Sequence, residues 1–188
     1  MIIVYGGTFN PPTIAHQKIA KQIIEKFKPS KFILLPVGDY YPWKDSFASF
    51  YHRKEMLKLT FPQPIFEISE IENEKAYQGT YKALKQIESQ FKEEVRFLLG
   101  ADNLDYLDQW LNYQSLIKEY KFIVLTRKGF DVENIIDDKF ANYKANFSIH
   151  NFNLDIAAAN FRNDPTKIDI VVKPVYSYLK KHNLYGVK

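Results

Sequence analysis

Short runs of β-favouring apolar residues alternate along this chain with longer segments whose apolar positions recur every three to four residues. Ile2 to Tyr5 is the first run, and it stops at Gly6-Gly7 as a buried parallel strand does before a tight turn. From Ile14 onward, Ala15, Ile19, Ile23 and Phe27 form an i, i+4 stripe with Lys18, Lys21, Gln22 and Lys26 between them, predicting a helix that ends before Pro29. Phe32 to Leu35 reads as the next strand, followed by Pro36, Gly38 and an aromatic-rich loop as far as Ser49. A helix then runs through Met56 and Leu59 and breaks at Pro62. Ile65 to Ile68 reads as a strand. Thr80 to Phe91 reads as an amphipathic helix with Ala83, Leu84, Ile87 and Phe91 on one face. Val95 to Leu99 and Phe122 to Thr126 are two further strands. The last third is less regular, with a strand at Phe147 to Ile149, a short helix at Ala157 to Arg162 and a terminal helix entered at Pro174.

Strands separated by helices of this length are βαβ units. The expected fold is therefore α/β: a Rossmann-like, doubly wound, mainly parallel sheet with helices on both faces. A length of 188 residues suits one domain over 1–188, and the sequence holds no internal repeat, low-complexity stretch or Gly/Ser linker. Its 46% hydrophobic and 26% charged residues exclude the disordered and collagen-like classes. No window approaches the roughly 18 apolar residues of a membrane span, and the opening MIIVYGG lacks the features of a signal peptide, so a cytoplasmic protein without membrane contacts is expected. With no cysteine there is no thiolate nucleophile, and any metal would be held by oxygen or imidazole. Lys plus Arg exceed Asp plus Glu by 26 to 22, a mild positive balance that suits anionic ligands such as nucleotides. The basic residues are scattered, without the dense stripe of a nucleic-acid-binding face.

In a doubly wound sheet, ligands bind outside the carboxyl ends of the strands. Three such places carry unusual residues. After the first strand, Gly6-Gly7 lets the backbone approach a ligand, and the following helix offers free N–H groups and a positive dipole end to a phosphate. His16 falls in the first turn of that helix; a glycine turn with an incidental surface histidine is the alternative. After the second strand the loop holds Asp39, Tyr40, Tyr41, Pro42, Trp43 and Lys44, and a lone loop lysine is most often solvated. After Val95 to Leu99 come Gly100, Ala101 and Asp102, with Trp110 eight residues beyond; a tryptophan ending a short helix is usually core. His52, His150 and His182 lack metal-ligand spacing and read as structural or solvated. The serine-hydrolase elbow, the Gly-x-x-x-x-Gly-Lys-Ser/Thr loop and the classical dinucleotide fingerprint are all absent, which disfavours the common hydrolase, NTPase and dehydrogenase readings.

The segment GGTFNP followed by Thr13-Ile14-Ala15-His16 resembles the N-terminal signature of the nucleotidyltransferase superfamily, with Ala15 at the usual glycine. Pro42-x-Lys44 and RKEML, which contains Arg53 and Met56, look like the Pro-His-Lys loop and Arg-x-x-Met-Leu helix of the nicotinate mononucleotide adenylyltransferase family. FLLGADNLDYLDQW is similar to the Gly-Ala-Asp … Trp segment of that family, and AYQGTYKAL to its Tyr-Thr-x-x-Thr-Leu helix start, with Gln78 replacing the first threonine. The closing VVKPVYSYLKKHNLYG resembles its terminal helix, so the likeness spans nearly the whole chain.

The resemblance implies transfer of AMP from ATP, carrying Mg²⁺, to nicotinate mononucleotide, giving the dinucleotide and pyrophosphate by direct in-line attack. It implies His16, Lys44 and Arg162 as catalytic residues spreading over the phosphate oxygens. ATP would be bound by Gly6, Gly7, Thr8, Phe9, Thr13, His16, Gly100, Asp102, Ala157 and Arg162. Thr8, Lys44, Tyr77, Asp102 and Trp110 would bind the mononucleotide, with Trp110 stacked on the pyridine ring and no protein-only metal site. The departure lies at Ile156 to Arg162, where Ala157, Ala158 and Ala159 replace the hydroxyl-bearing residues of the family while Arg162 stays. Each hydrogen bond to a charged group is worth about 1.5 to 3 kcal/mol, so ATP use could fall by one to several orders of magnitude without compensation, although helix amides remain available. Adenylyl transfer to another acceptor, nicotinamide mononucleotide or pantetheine phosphate, and a catalytically weakened nucleotide-binding relative stay open as alternatives. So does a homo-oligomeric state.

Overall fold

The computed structural model describes residues 1–42, 48–152 and 158–187. Its sheet is built from β1 (Ile2–Gly7), β2 (Lys31–Pro36), β3 (Phe66–Ile68), β4 (Val95–Gly100), β5 (Lys121–Leu125) and β6 (Phe147–His150). All neighbours pair in parallel, in the order β3-β2-β1-β4-β5-β6. This is the doubly wound Rossmann order, and the chain reverses direction across the sheet between β1 and β4, the place where such sheets open a crevice.

Strand residues alternate between two cores. Ile2, Val4, Ile33, Leu35, Val95, Phe97, Leu99, Phe122 and Val124 face one side. There they meet α3 (Thr80–Phe91), α4 (Ala101–Leu104), α5 (Tyr113–Glu119) and α6 (Val132–Phe140). Ile3, Tyr5, Phe32, Leu34, Leu98, Ile123 and Leu125 face the other side, against α1 (Ile14–Phe27) and α2 (Phe50–Thr60). Burial on both faces explains why the central strands read as continuous apolar runs, each fully buried aliphatic side chain contributing about 1.5 to 3 kcal/mol. A third cluster joins Met56 of α2 to Phe161 of α7 (Ala158–Asn163) and to Val175 and Leu179 of α8 (Lys173–Lys181).

The structure refines several boundaries. β1 runs on through Gly6 and Gly7, which pair with Leu35 and Pro36 of β2, so the glycines belong to the strand and the turn starts at Thr8. β3 is only three residues long, and β5 begins and ends one residue earlier than the apolar run suggested. The terminal helix starts at Lys173 with Pro174 inside its first turn, where the missing N–H costs nothing. Helix α6 was not anticipated: the Asp131 carboxylate caps it by accepting from the Asn134 amide at 3.1 Å, and Val132, Ile136 and Phe140 are its buried stripe. Among the described residues, no helix is long and apolar enough to cross a membrane.

Candidate active site

β1 delivers the glycine pair to the edge of the crevice. Gly6 is sterically required: a Cβ there would stand 2.5 Å from Cζ of Phe97 on the neighbouring strand β4. Phe97 in turn meets Trp110 edge to face, with ring centroids 6.1 Å apart at 77°. A continuous line of contact therefore runs from the glycine pair through the sheet to the tryptophan. Gly6, Gly7 and Thr8 are partly exposed, which leaves their backbone open to a ligand. Phe9, expected among the ATP-binding residues, is instead 1% exposed and supports the loop from behind. It holds a left-handed backbone conformation at φ +46°, a strain of about 1 to 3 kcal/mol for a bulky residue that its contacts with Tyr5 and His16 sustain.

Thr13 precedes α1 in extended conformation, and His16 is the third residue of the helix. The Thr13 backbone N–H donates to His16 Nδ1 at 2.9 Å, and the Thr13 hydroxyl lies 2.8 Å from the same nitrogen. The histidine thus takes the part a glutamate plays in a capping box. Because Nδ1 accepts, the proton of the neutral ring belongs on Nε2. Burial lowers the imidazole pKa to about 4, and Tyr5 and Phe9 are the rings packed on it. At neutral pH His16 accordingly presents one N–H donor and no net charge. Thr13 is fully buried with its hydroxyl committed to His16. It stands against the histidine as the group that orients the ring.

Asn10 ties three distant segments to this loop. Its carbonyl oxygen accepts from Arg162 Nη1 at 2.6 Å, and its side-chain Oδ1 accepts from the Ala48 amide at 3.2 Å and from the Tyr185 hydroxyl. Arg162, exposed on α7, is thereby brought to the loop that leads into the helix of His16. Lys44 and Ala157, both expected in the site, lie outside the described residues.

The residue that binds this loop to the one after β2 is Arg53, whose buried role sequence did not disclose. Its side chain is wholly inaccessible. It donates to the carbonyl oxygens of Thr8 (3.1 Å), Val37 (2.7 Å) and Ala48 (2.8 Å) and to Asp39 Oδ1 (3.3 Å). A buried guanidinium is stable only when its donors are satisfied in this way. Its one sequence signal was membership of the RKEML helix.

On the far side of the crevice, Asp102 lies in the first turn of α4. Its Oδ1 folds back to within 2.5 Å of where a Cβ on Gly100 would be, so a larger residue there would push the carboxylate aside. Its Oδ2 accepts from Arg127 Nη1 at 2.9 Å. Arg127 was not foreseen, although it follows β5 at the carboxyl end of the sheet. Beyond it, a cleft of about 580 Å³ opens between Thr126, Phe130, Asp131, Ile149 and Asn151. Tyr77 meets Tyr41 edge to face with ring centroids 5.3 Å apart, and it hydrogen-bonds the side chain and backbone of Thr80 at the start of α3.

The family described as Cytidylyltransferase-like matches residues 4–173 of this chain. A protein of Acholeplasma laidlawii, named as a probable nicotinate-nucleotide adenylyltransferase, is 37% identical over 187 residues, spanning 98% of this chain and 97% of its own. The chain belongs to the nicotinate-nucleotide adenylyltransferase family. A Fusobacterium nucleatum relative of the same name is 35% identical over 169 residues, 86% of each chain. In fold, the protein is similar to the Plasmodium falciparum nicotinic acid mononucleotide adenylyltransferase complexed with NaAD, at a TM-score of 0.84 and 21% identity, over 100% of this chain and 98% of that one. Membership in the nicotinate-nucleotide adenylyltransferase family makes the protein a nucleotidyltransferase, and its Rossmann-like sheet is the nucleotidyltransferase fold.

Proposed function

We propose that the protein transfers AMP from ATP to nicotinate mononucleotide. A phosphate oxygen of the mononucleotide attacks the α-phosphorus in line, the bond from that phosphorus to the bridging oxygen breaks, and pyrophosphate leaves. No general base is needed, because the attacking phosphate is already ionised at neutral pH. Catalysis of this kind is positioning and electrostatic stabilisation.

The observation that carries this reading is His16 at the N-terminus of α1, whose Nδ1 accepts from the Thr13 amide so that Nε2 keeps the ring proton, just beyond the glycine-ended strand that Phe97 links to Trp110. An N–H held in one direction costs no reorganisation as charge develops on the departing phosphates. Arg162, held by the Asn10 carbonyl, supplies a permanent positive charge beside it. Lys44 is assigned a second cation, and Gly6, Gly7, Thr8, Gly100 and Asp102 the binding of both nucleotides. Trp110 and Tyr77 are assigned the pyridine end. Mg²⁺ carried by the triphosphate would screen its charge.

The decisive experiment mixes protein, ATP, Mg²⁺ and either nicotinate or nicotinamide mononucleotide, and resolves the products by chromatography. Formation of nicotinate adenine dinucleotide and pyrophosphate in equal amounts is expected. ATP binding without dinucleotide from either mononucleotide would overturn the reading in favour of a nucleotide-binding relative.

A further inference from the structure

One buried carboxyl group has no part in the reaction as described. Glu72 lies between β3 and α3 and is 7% exposed. Its carbonyl oxygen occupies the space where a Cβ on Gly38 would be, at 2.0 Å, so the Glu72 backbone is pressed against the loop after β2. Its Oε1 accepts a long hydrogen bond, 3.5 Å, from the Thr80 hydroxyl. That threonine also hydrogen-bonds Tyr77, and the Tyr77 and Tyr41 phenols are pushed up by burial first and by the charge of Glu72 second. Gly79, at φ +83° just before α3, packs against Leu111, with a would-be Cβ only 2.9 Å from Leu111 Cβ. Leu111 is the neighbour of Trp110. Glu72 therefore sits behind Thr80, the partner of Tyr77, and one residue before that threonine Gly79 packs on the loop that carries Trp110.

We propose that Glu72 is a specificity-determining residue whose charge sets how the pocket chooses between a pyridine carboxylate and the corresponding carboxamide; the proposal rests on the assignment of the pyridine end to Tyr77 and Trp110. A neutral Glu72 leaves the nicotinate carboxylate unopposed. An ionised one, desolvated and close by, repels it and leaves the amide unaffected. Burial raises the Glu72 pKa to about 7, so both states are populated near neutrality. Among the described residues, three face it. Tyr41 approaches from the loop after β2, and Tyr77 and Thr80 approach from the start of α3. In its own segment, Glu70 is paired with Lys54 of α2 at 2.6 Å, and Glu74 and Lys75 are exposed. Asp39 is engaged by Arg53 and donates its amide to Asn73 Oδ1 at 3.4 Å.

The test is a ratio. Acid and amide mononucleotides share the same phosphate, ribose and ATP, so every titration except one that senses the pyridine substituent cancels in the quotient of their kcat/KM values. Measured between roughly pH 5.5 and 8.5, the acid-to-amide quotient of the wild-type protein should fall on the order of tenfold, with a midpoint near neutrality. In Glu72→Gln it should stay high and flat. A quotient independent of pH in the wild type, or the same slope in Glu72→Gln, would overturn the proposal. Should the variant fail to fold, as circular dichroism would reveal, the wild-type series decides alone. Equilibrium binding of both mononucleotides, followed by calorimetry over the same pH range, separates the two readings. Binding with a pH-dependent quotient but without turnover sinks the transferase assignment and keeps Glu72. Turnover with a flat quotient does the reverse, and absence of both binding and turnover overturns both.

Discussion

The Thr13 amide and His16 Nδ1 stand 2.9 Å apart, and that bond decides which nitrogen of the ring keeps its proton. Loss of the donor should be costly: His16→Ala is expected to lower kcat by about 10² to 10³ with the fold intact, as removal of one preorganised donor does. Steady-state kinetics with circular dichroism as control measures it, and an unchanged kcat would refute the role. His16→Asn, which retains a donor, should fall between the two.

The same pair predicts a pH dependence of stability. The pKa of His16 is about 4 in the folded protein, below its value of 6.5 in a model peptide. The unfolded chain therefore binds the extra proton first, so stability is full above about pH 6.5 and declines as pH falls toward 4. Glu72 acts with the opposite sign. Its folded pKa of about 7 exceeds the model value of 4.5, so its contribution is present below about 4.5 and is lost as pH rises through 7. Chemical denaturation across this range should show Glu72→Gln gaining stability over the wild type above pH 7, by on the order of 3 kcal/mol at most. An equal pH slope in both proteins would contradict it.

Gly6→Ala should reach beyond its own position. The new methyl, 2.5 Å from Phe97 Cζ, forces that ring aside, and Trp110 rests on the ring. A destabilisation of about 1 to 3 kcal/mol is expected together with weaker mononucleotide binding. A second change, Phe97→Leu, should restore much of the stability, and denaturant midpoints of the single and double variants test the coupling.

Trp110→Ala should weaken mononucleotide binding by about 1 to 3 kcal/mol and leave ATP binding nearly unchanged, since stacking on an aromatic face has that worth. Calorimetric titration with each ligand separately distinguishes this from a purely packing role, in which the variant would unfold or lose both ligands alike.

Alanines at 157 to 159 replace the hydroxyl-bearing residues expected at the start of α7. The wild type should therefore work with a raised KM for ATP. Restoring Ala157→Ser with Ala159→Thr should lower that KM and leave the mononucleotide KM unchanged. Activity confined to the restored variant would mean that the hydroxyls are indispensable.

Much of this was written in local pattern. The strands β1, β2, β4 and β5 are buried on both sides and so appear as uninterrupted apolar runs, while α1 and α3 display stripes with cationic residues between. The capping pair was visible as Thr13-x-x-His16 but not as a cap, because histidine is not the residue usually found there. Helix α6 escaped notice although Asp131 ahead of Val132, Ile136 and Phe140 is a legitimate start signal. What no local pattern could contain is the fate of charged side chains. Arg53 and Glu72 look like ordinary surface residues in sequence, and their burial comes from segments remote in the chain: Thr8 and Val37 around the one, Gly38 and Thr80 around the other.

The hydrogen bond from Tyr185 to Asn10 joins residues 175 positions apart. During synthesis Asn10 leaves the ribosome among the earliest residues, and Ala48, Arg162 and Tyr185 follow in that order. The loop that leads into the helix of His16 thus gains its supports one after another, the last only when nearly all of these residues have been made. Phe9 has Tyr5 and His16 to pack on from the start, and the Asn10 side chain gains the Ala48 amide early, but Arg162 and the Tyr185 hydroxyl reach Asn10 only at the end. A nascent chain in which β1 to β5 had already paired would possess the sheet and still lack a finished phosphate site, so competence for nucleotides should trail acquisition of the fold, and shortening the chain before Tyr185 should preserve the first while impairing the second.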